Sequence, residues 1–426
     1  MERYERYKDS GVEWIGEIPE GWEIKKIKHK CYVKARIGWK GLKSSEFLTS
    51  GCSFLITGTD FKNDKIDWTN CYHIDKGRYD EDPYIQLQNE DLLITKDGTI
   101  GKLAIVSGLE KPACLNSGIF VVRSLDEGFS TRYLFWVLKS NLFSQFNEFT
   151  SYGSTIQHLY QNVFVEFWYP FSSLTDQTAI ANYLDRKTAE IDELIAQKER
   201  LIELYEEEKI AIINQAVTKG IDPDVRLKDS GVDWLGEVPE EWEVRRLKYL
   251  SDIKTGEKDT ENREAFGEYP FYVRSQTIER ISTYSYDGEA ILTAGDGVGV
   301  GKVFHYVNGK FDYHQRVYKI SYFMDINAKF LFYYMRLNFH KEVIRISAKS
   351  TVDSLRLPML QNFPVCIPVQ ASKQTAIVHH IETETTRINT NIVKTKRIIE
   401  LQKEYRTALI SEVVTGKIKV TEEPTP

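Results

Sequence analysis

Two stretches of the chain carry an apolar stripe at helical spacing over an unusual length. From about Thr188 to Thr218 there is neither Pro nor Gly, and Ile191, Leu194, Leu201, Tyr205 and Ile212 recur at three-, four- and seven-residue steps. Further on, Ile388, Ile392, Ile399, Leu409 and Val413 form a similar stripe. Both predict long helices, and a helix of about thirty residues is roughly 45 Å long. Neither stripe is broad enough for a helix buried all round, so the two are expected to pair along a narrow seam. Elsewhere the pattern shortens to β-rich runs such as "DLLITKDG", "GIFVVRS", "EAILTAGDG" and "RVYKISY", broken by Gly, Asn and Asp turns. One helical run accompanies each set, "TRYLFWVLKSN" and "AKFLFYYMRLN". This alternation predicts two globular α+β blocks, 29–169 and 249–367.

The frame around those blocks occurs twice. "KDSGVEWIGEIPEGWEIKKIK" (8–28) returns at 228–248 as "KDSGVDWLGEVPEEWEVRRLK", with thirteen identical positions of twenty-one. Each long helix follows a Pro-bearing strand-like stretch, begins near "QTAI" (177–180 and 374–377), and ends in Val-Thr with a Gly and a Lys. The order is therefore an N-terminal module 1–28, block 29–169, helical region 170–226, second module 227–248, block 249–367 and helical region 368–426. In each module two tryptophans, Trp14 and Trp22 or Trp234 and Trp242, flank a Gly-Pro turn and read as anchors for the scaffold or for a docked subunit. Six residues separate Gly220 from Leu227, so the second module should sit at the end of the first helix. By symmetry the first module should sit at the end of the second helix.

The blocks themselves have diverged. "TKDGTIGKLAIV" still faces "TAGDGVGVGKVFHYV", and "STIQHL" (154–159) faces "STVDSL" (350–355), where Ser154 and Ser350 read as helix N-caps. An α+β fold is thus expected, with two mixed α/β blocks separated by two long antiparallel coiled-coil helices in pseudo-twofold symmetry. Charge supports the pairing. Residues 176–220 hold ten Asp/Glu against six Lys/Arg, and 373–419 hold five against nine. Opposite charge flanking a seam favours the mixed pair.

Composition narrows the chemistry. A chain of 426 residues, 42% hydrophobic and 28% charged, is expected to hold more than one domain. No apolar run approaches a membrane span and the charged N-terminus lacks a secretory core, so a cytoplasmic protein without membrane contact is expected. Five cysteines without a C-x-x-C pair argue against disulfides and a structural zinc. His379-His380 point about 100° apart on a helix and chelate poorly. "GDGVGVGK" (295–302) departs from the phosphate loop, with Asp296 where Gly is needed and Val303 where Ser or Thr is needed. "KDGTIGKL" fails likewise at Lys96 and Leu103, and both read as glycine turns. "EDPYI" (81–85) lacks the second Pro of the amino-methyltransferase loop it faintly resembles. No nucleophile or carboxylate cluster marks a catalytic centre or a metal site.

A net charge of −6 is not that of an isolated nucleic-acid binder. The blocks are near neutral, −1 and +1, which leaves a two-headed protein-interaction scaffold open as an alternative. The duplicated module, the "QTAI" helix start and the Val-Thr-Gly-Lys ending nevertheless resemble, over the whole chain, the specificity (S) subunit of type I restriction-modification systems. That resemblance implies a non-catalytic subunit with two target recognition domains, 29–169 and 249–367, each reading one part of a bipartite double-stranded DNA sequence. It also implies a helical spacer that docks two modification (methyltransferase) subunits. With the restriction (translocase/endonuclease) subunits, these would hold the S-adenosylmethionine, ATP and magnesium chemistry; none is expected on this chain. The candidate DNA contacts are loop residues of the types that read base edges or phosphates: Arg36, Lys40, Lys43 and Lys96 in the first block. The second block offers Arg274, Gln276, His314, Gln315, Arg316 and Lys349.

Overall fold

The structure, a computed structural model, describes residues 2–36, 41–150, 158–347 and 354–420. The chain divides into two compact units. The first gathers the residues up to Gln197 with those from Ile398 onward, and the second is Lys198–Arg397. Both boundaries fall inside a long helix, Leu174–Lys219 of 46 residues and Ala371–Val414 of 44. Each unit therefore holds one recognition block and half of each helix. No helix among the described residues is long and apolar enough to cross a membrane.

The first long helix starts at Leu174, three residues before its "QTAI". Ser173 caps it, its Oγ accepting from the Asp176 N–H at 3.1 Å. The first turns bury Ala179, Ile180, Ala181 and Leu184 in the first unit. The paired halves run antiparallel within each unit. In the first, Arg406 meets Asp192 at 3.2 Å; in the second, Arg387 meets Glu208 at 2.8 Å and Lys209 donates to Asn389 at 3.2 Å. All five stripe residues of the second helix are buried. On the first helix Ile191 is buried, but Ile195 and Ile213 lie deeper than Leu194 and Ile212. At both places the buried face lies one residue beyond the stripe.

A glutamine clips each helix to its block. Gln177, the first residue of "QTAI", accepts from the Ser130 N–H at 2.9 Å and donates to the Ser172 carbonyl at 2.9 Å. Gln374 accepts from the Asn327 N–H at 2.6 Å and donates to the carbonyls of Asp325 and Pro368 at 3.0 and 2.9 Å. Both glutamines are buried. The amide satisfies the backbone groups left over where the helix, the preceding strand and the block helix (Thr131–Lys139 or Ala328–Ser347) converge.

The modules fold alike. Tyr7–Asp9 pairs antiparallel with Glu17–Pro19, and Leu227–Asp229 with Glu237–Pro239, in the same register. The next strand of each, Glu23–Lys26 or Trp242–Arg246, pairs with the Pro-bearing strand before the helix, Trp168–Phe171 or Pro364–Pro368. Trp22 lies against Gly416 just past the second helix, where Tyr7 Oη also donates to the Gly416 carbonyl at 3.0 Å. Trp242 lies against Gly220, just past the first helix. Within the first unit the Lys419 N–H reaches the Glu2 carbonyl at 2.9 Å, so the first module and the segment after the second helix meet. Trp14 packs on Phe146 and Phe149, whereas Trp234 stacks on Phe363 and donates Nε1 to Glu342 at 2.8 Å.

In each block the first four strands of a six-stranded sheet, counted from one edge, have the same order. They are Cys31–Lys34, Ile119–Ser124, Leu92–Thr95 and Leu103–Ile105 in the first unit. The second has Asp252–Thr255, Val317–Ser321, Tyr286–Ala294 and Phe304–Tyr313. The difference lies beyond them. In the second unit the long Phe304–Tyr313 strand runs on to pair with Tyr269–Tyr272. The first unit breaks that strand and pairs its continuation, Ala113–Leu115, with Ser53–Ile56 in a separate three-stranded sheet.

Candidate nucleic-acid interface

Three turns at one end of each sheet occupy corresponding places, and their backbone hydrogen bonds give the correspondence residue by residue. Parallel pairing sets Leu115 opposite Ile56 and Tyr313 opposite Tyr272. Asn116 N–H then donates to the Ile56 carbonyl and His314 N–H to that of Tyr272, both at 2.9 Å. Lys96 N–H donates to the Gly118 carbonyl and Gly295 N–H to that of Arg316, both at 2.8 Å. Finally Leu159 N–H reaches the Lys96 carbonyl at 3.0 Å and Leu355 N–H the Gly295 carbonyl at 2.7 Å. The triplet Asn116–Ser117–Gly118 thus matches His314–Gln315–Arg316, Lys96–Asp97 matches Gly295–Asp296, and Gly58 matches Arg274.

The side chains on this common frame differ. In the second unit Asp296 accepts from Arg274 Nη1 at 3.1 Å and from Arg316 Nη1 at 2.6 Å. Partial burial pushes its carboxyl up, but the hydrogen bonds from Arg316 and Arg274 outweigh this and hold it below the usual carboxylate range. Gln315 donates Nε2 to Asp259 at 2.5 Å, and Gln276 donates Nε2 to the Lys302 carbonyl at 3.4 Å. Four of the sequence candidates, Arg274, Gln276, Gln315 and Arg316, therefore meet as exposed polar groups on one face.

The first unit is less basic here. Lys96 lies 5.6 Å from the Phe120 ring centre and 3.8 Å from Asp97, which also pairs with His158. The turn at Gly58 is closed by Asp60, which accepts from the Thr57 N–H at 2.7 Å and its hydroxyl at 2.9 Å. Asn116 and Ser117 are half-buried on the same face. Lys43 is exposed, at the start of a short helical turn.

Two sequence candidates, expected as exposed loop residues, are instead buried behind this face. Arg36 is buried, its Nε donating to the Leu115 carbonyl at 3.0 Å and its Nη2 to Cys114 Sγ at 3.4 Å. Its guanidinium braces the strand end that carries Asn116. His314 is also buried; its Nδ1 accepts from the Arg316 N–H at 2.9 Å and shapes the turn, and burial holds its pKa below the ordinary range. Lys40, Lys349, Ser154 and Ser350 lie outside the described residues. Sequence reasoning missed Asp296, Asp259, Asn116 and Ser117. The signal for Asp296 was present in "GDG", where an acid sits between glycines beside two arginine-bearing turns that only the fold brings near.

One frame is thus built twice, with unlike polar side chains on matching turns. The chain belongs to the family of the type I restriction modification DNA specificity domain, which matches residues 19–204 and 239–403. It is accordingly a DNA-recognition component of such a system and not its catalytic part. It is 24% identical over 435 residues to the type I restriction enzyme MjaIX specificity subunit of Methanocaldococcus jannaschii, covering 96% of each chain. The MjaVIII specificity subunit of the same organism is 24% identical over 365 residues, 79% of this chain and 83% of that one. The EcoDI specificity subunit of Escherichia coli matches a shorter part, 26% identical over 183 residues, which is 43% of this chain and 40% of that subunit. Two solved structures share the fold at 14% identity. A chain from work on complex assembly and conformational transition of the type I R-M system has a TM-score of 0.70 over 94% of this chain and 99% of its own. The HsdS subunit from Thermoanaerobacter tengcongensis has a TM-score of 0.60 over 94% and 98%.

Proposed function

We propose that the chain reads an asymmetric, bipartite double-stranded DNA target, one part through the loop face of each block, 29–169 and 249–367. The paired helices set the gap and dock two modification (methyltransferase) subunits. Restriction subunits complete the assembly in the cytoplasm, and S-adenosylmethionine, ATP and magnesium act on those partners. The observation that carries this reading is the identical backbone frame bearing Gly58, Lys96 and Gly118 in one unit and Arg274, Gly295 and Arg316 in the other. Symmetric dimers read palindromes because their halves are equal; unequal halves suit an asymmetric site. The acidic balance of the chain is compatible with this function if the methyltransferase subunits share the neutralisation of phosphates.

The test is a block exchange. Replacing residues 29–169 with the corresponding block of another family member should change one half of the sequence methylated by the assembled complex and leave the other half as it was. An unchanged methylated sequence would refute the reading. A steep loss of DNA binding with added salt is also expected once the methyltransferase partners are present, because phosphate contacts release counterions.

A further inference from the structure

The glycine-rich turn of the second unit serves two arginines. A Cβ on Gly299 would stand 2.6 Å from the Arg274 carbonyl oxygen, and one on Gly295 would stand 2.8 Å from that of Arg316. No side chain tolerates approaches that close, so the two glycines let both arginine-bearing turns close on Asp296. The Asp296 side chain is only 13% exposed, while those of Arg274 and Arg316 are 45% and 63% exposed. Each guanidinium carries five N–H donors, and each gives one to Asp296. The remaining donors of both forks are left for a ligand. At the matching places the first unit has Gly58 and Gly118, which have no side chain to offer.

We propose that Arg274 and Arg316, set side by side by Asp296, select guanine in the second unit's half of the DNA target, with Asp296 as their positioning residue. This inference rests on the reading of the chain as a two-part DNA reader. Guanine presents O6 and N7 to the major groove as two acceptors, which a guanidinium fork matches. Two guanidinium forks held by one mostly buried carboxylate therefore fit the guanine edges of G·C pairs. The two arginines could also meet a phosphate, and a specificity readout separates that case from base reading, since phosphate contacts carry no sequence information.

The experiment uses the full chain assembled with its methyltransferase partners on a random-sequence DNA library, with every methylated site read out. The wild-type complex should return a two-part motif. R274A and R316A should each lose discrimination about ten- to hundredfold at G·C positions of one half, with the other half unchanged in the same reaction. That intact half reports that the chain has folded. R274K and R316K keep the charge but lose the fork, so they should relax the same positions. D296N should loosen both arginine positions together. The proposal is overturned if methylation falls uniformly with no position relaxed, or if the relaxed positions are A·T pairs. It is equally overturned if the relaxation falls in the half altered by exchanging block 29–169, or if the lysine variants keep the wild-type motif. Should an alanine variant methylate nothing, the lysine variant decides. Absence of a two-part motif for the wild-type complex would instead refute the broader reading, before any variant is compared.

Discussion

Gln177 and Gln374 show how much of this architecture depends on single amides. Each is buried and bridges three elements, so replacement by leucine preserves bulk but strands a backbone N–H of the block helix. Gln177→Leu and Gln374→Leu should each cost about 1–3 kcal/mol, read as a lower urea midpoint with an unchanged slope. The histidines of the second unit add a pH dependence. Burial holds His305 and His314 below the ordinary value of 6.5. Close to His314 stand Asp259, Arg274, Asp296 and Arg316. The unfolded chain therefore takes up protons first. Stability should be full above about 6.5 and fall progressively as pH drops from there toward the folded-state values. A pH series of denaturation midpoints from 8 to 5 checks this, and His314→Asn should make the acid-side decline shallower. Asp296 acts in the opposite range. Its depressed carboxyl keeps the arginine clasp charged throughout that series, so the clasp loses its contribution only below the ordinary carboxylate range.

At the level of the elements, the seam rather than the surface charge holds the helix pair. Ile388 is fully buried, and Ile388→Ala should cost about 2–5 kcal/mol. Arg387, exposed in its pair with Glu208, should leave the denaturation midpoint nearly unmoved when replaced by alanine. Much of this was legible in the sequence. Apolar periodicity marks both helices, and the second stripe coincides with the buried face at all five named residues. The "QTAI" repeat marks each helix start to within three residues, although the apolar groups at the start of the first helix pack on the neighbouring block instead of along the seam. The repeated "QTAI" announced a shared role, but only the fold reveals that its glutamine is a clip. The loop face was half legible. Residue type singled out Arg274, Gln276, Gln315 and Arg316, yet type alone cannot separate an exposed arginine from a brace such as Arg36. It also cannot pair Asp296 with arginines 22 residues before it and 20 after it.

For the molecule as a whole, the two units draw on the chain differently. The second is one uninterrupted stretch, Lys198–Arg397, while the first is completed by residues from Ile398 onward. Tyr133 donates to the carbonyl of Val414 at 3.2 Å, and Asn141 N–H donates to Ser411 at 3.1 Å. The block made first is therefore finished last. During synthesis it must wait about 200 residues for the strand of helix that closes it, at roughly 5–20 residues per second. A chain halted once Arg397 has left the ribosome should protect the second unit from protease and leave the first open to cleavage. Release of the remaining residues should then protect both. Loss of the residues from Ile398 onward would accordingly damage the domain built from the residues up to Gln197.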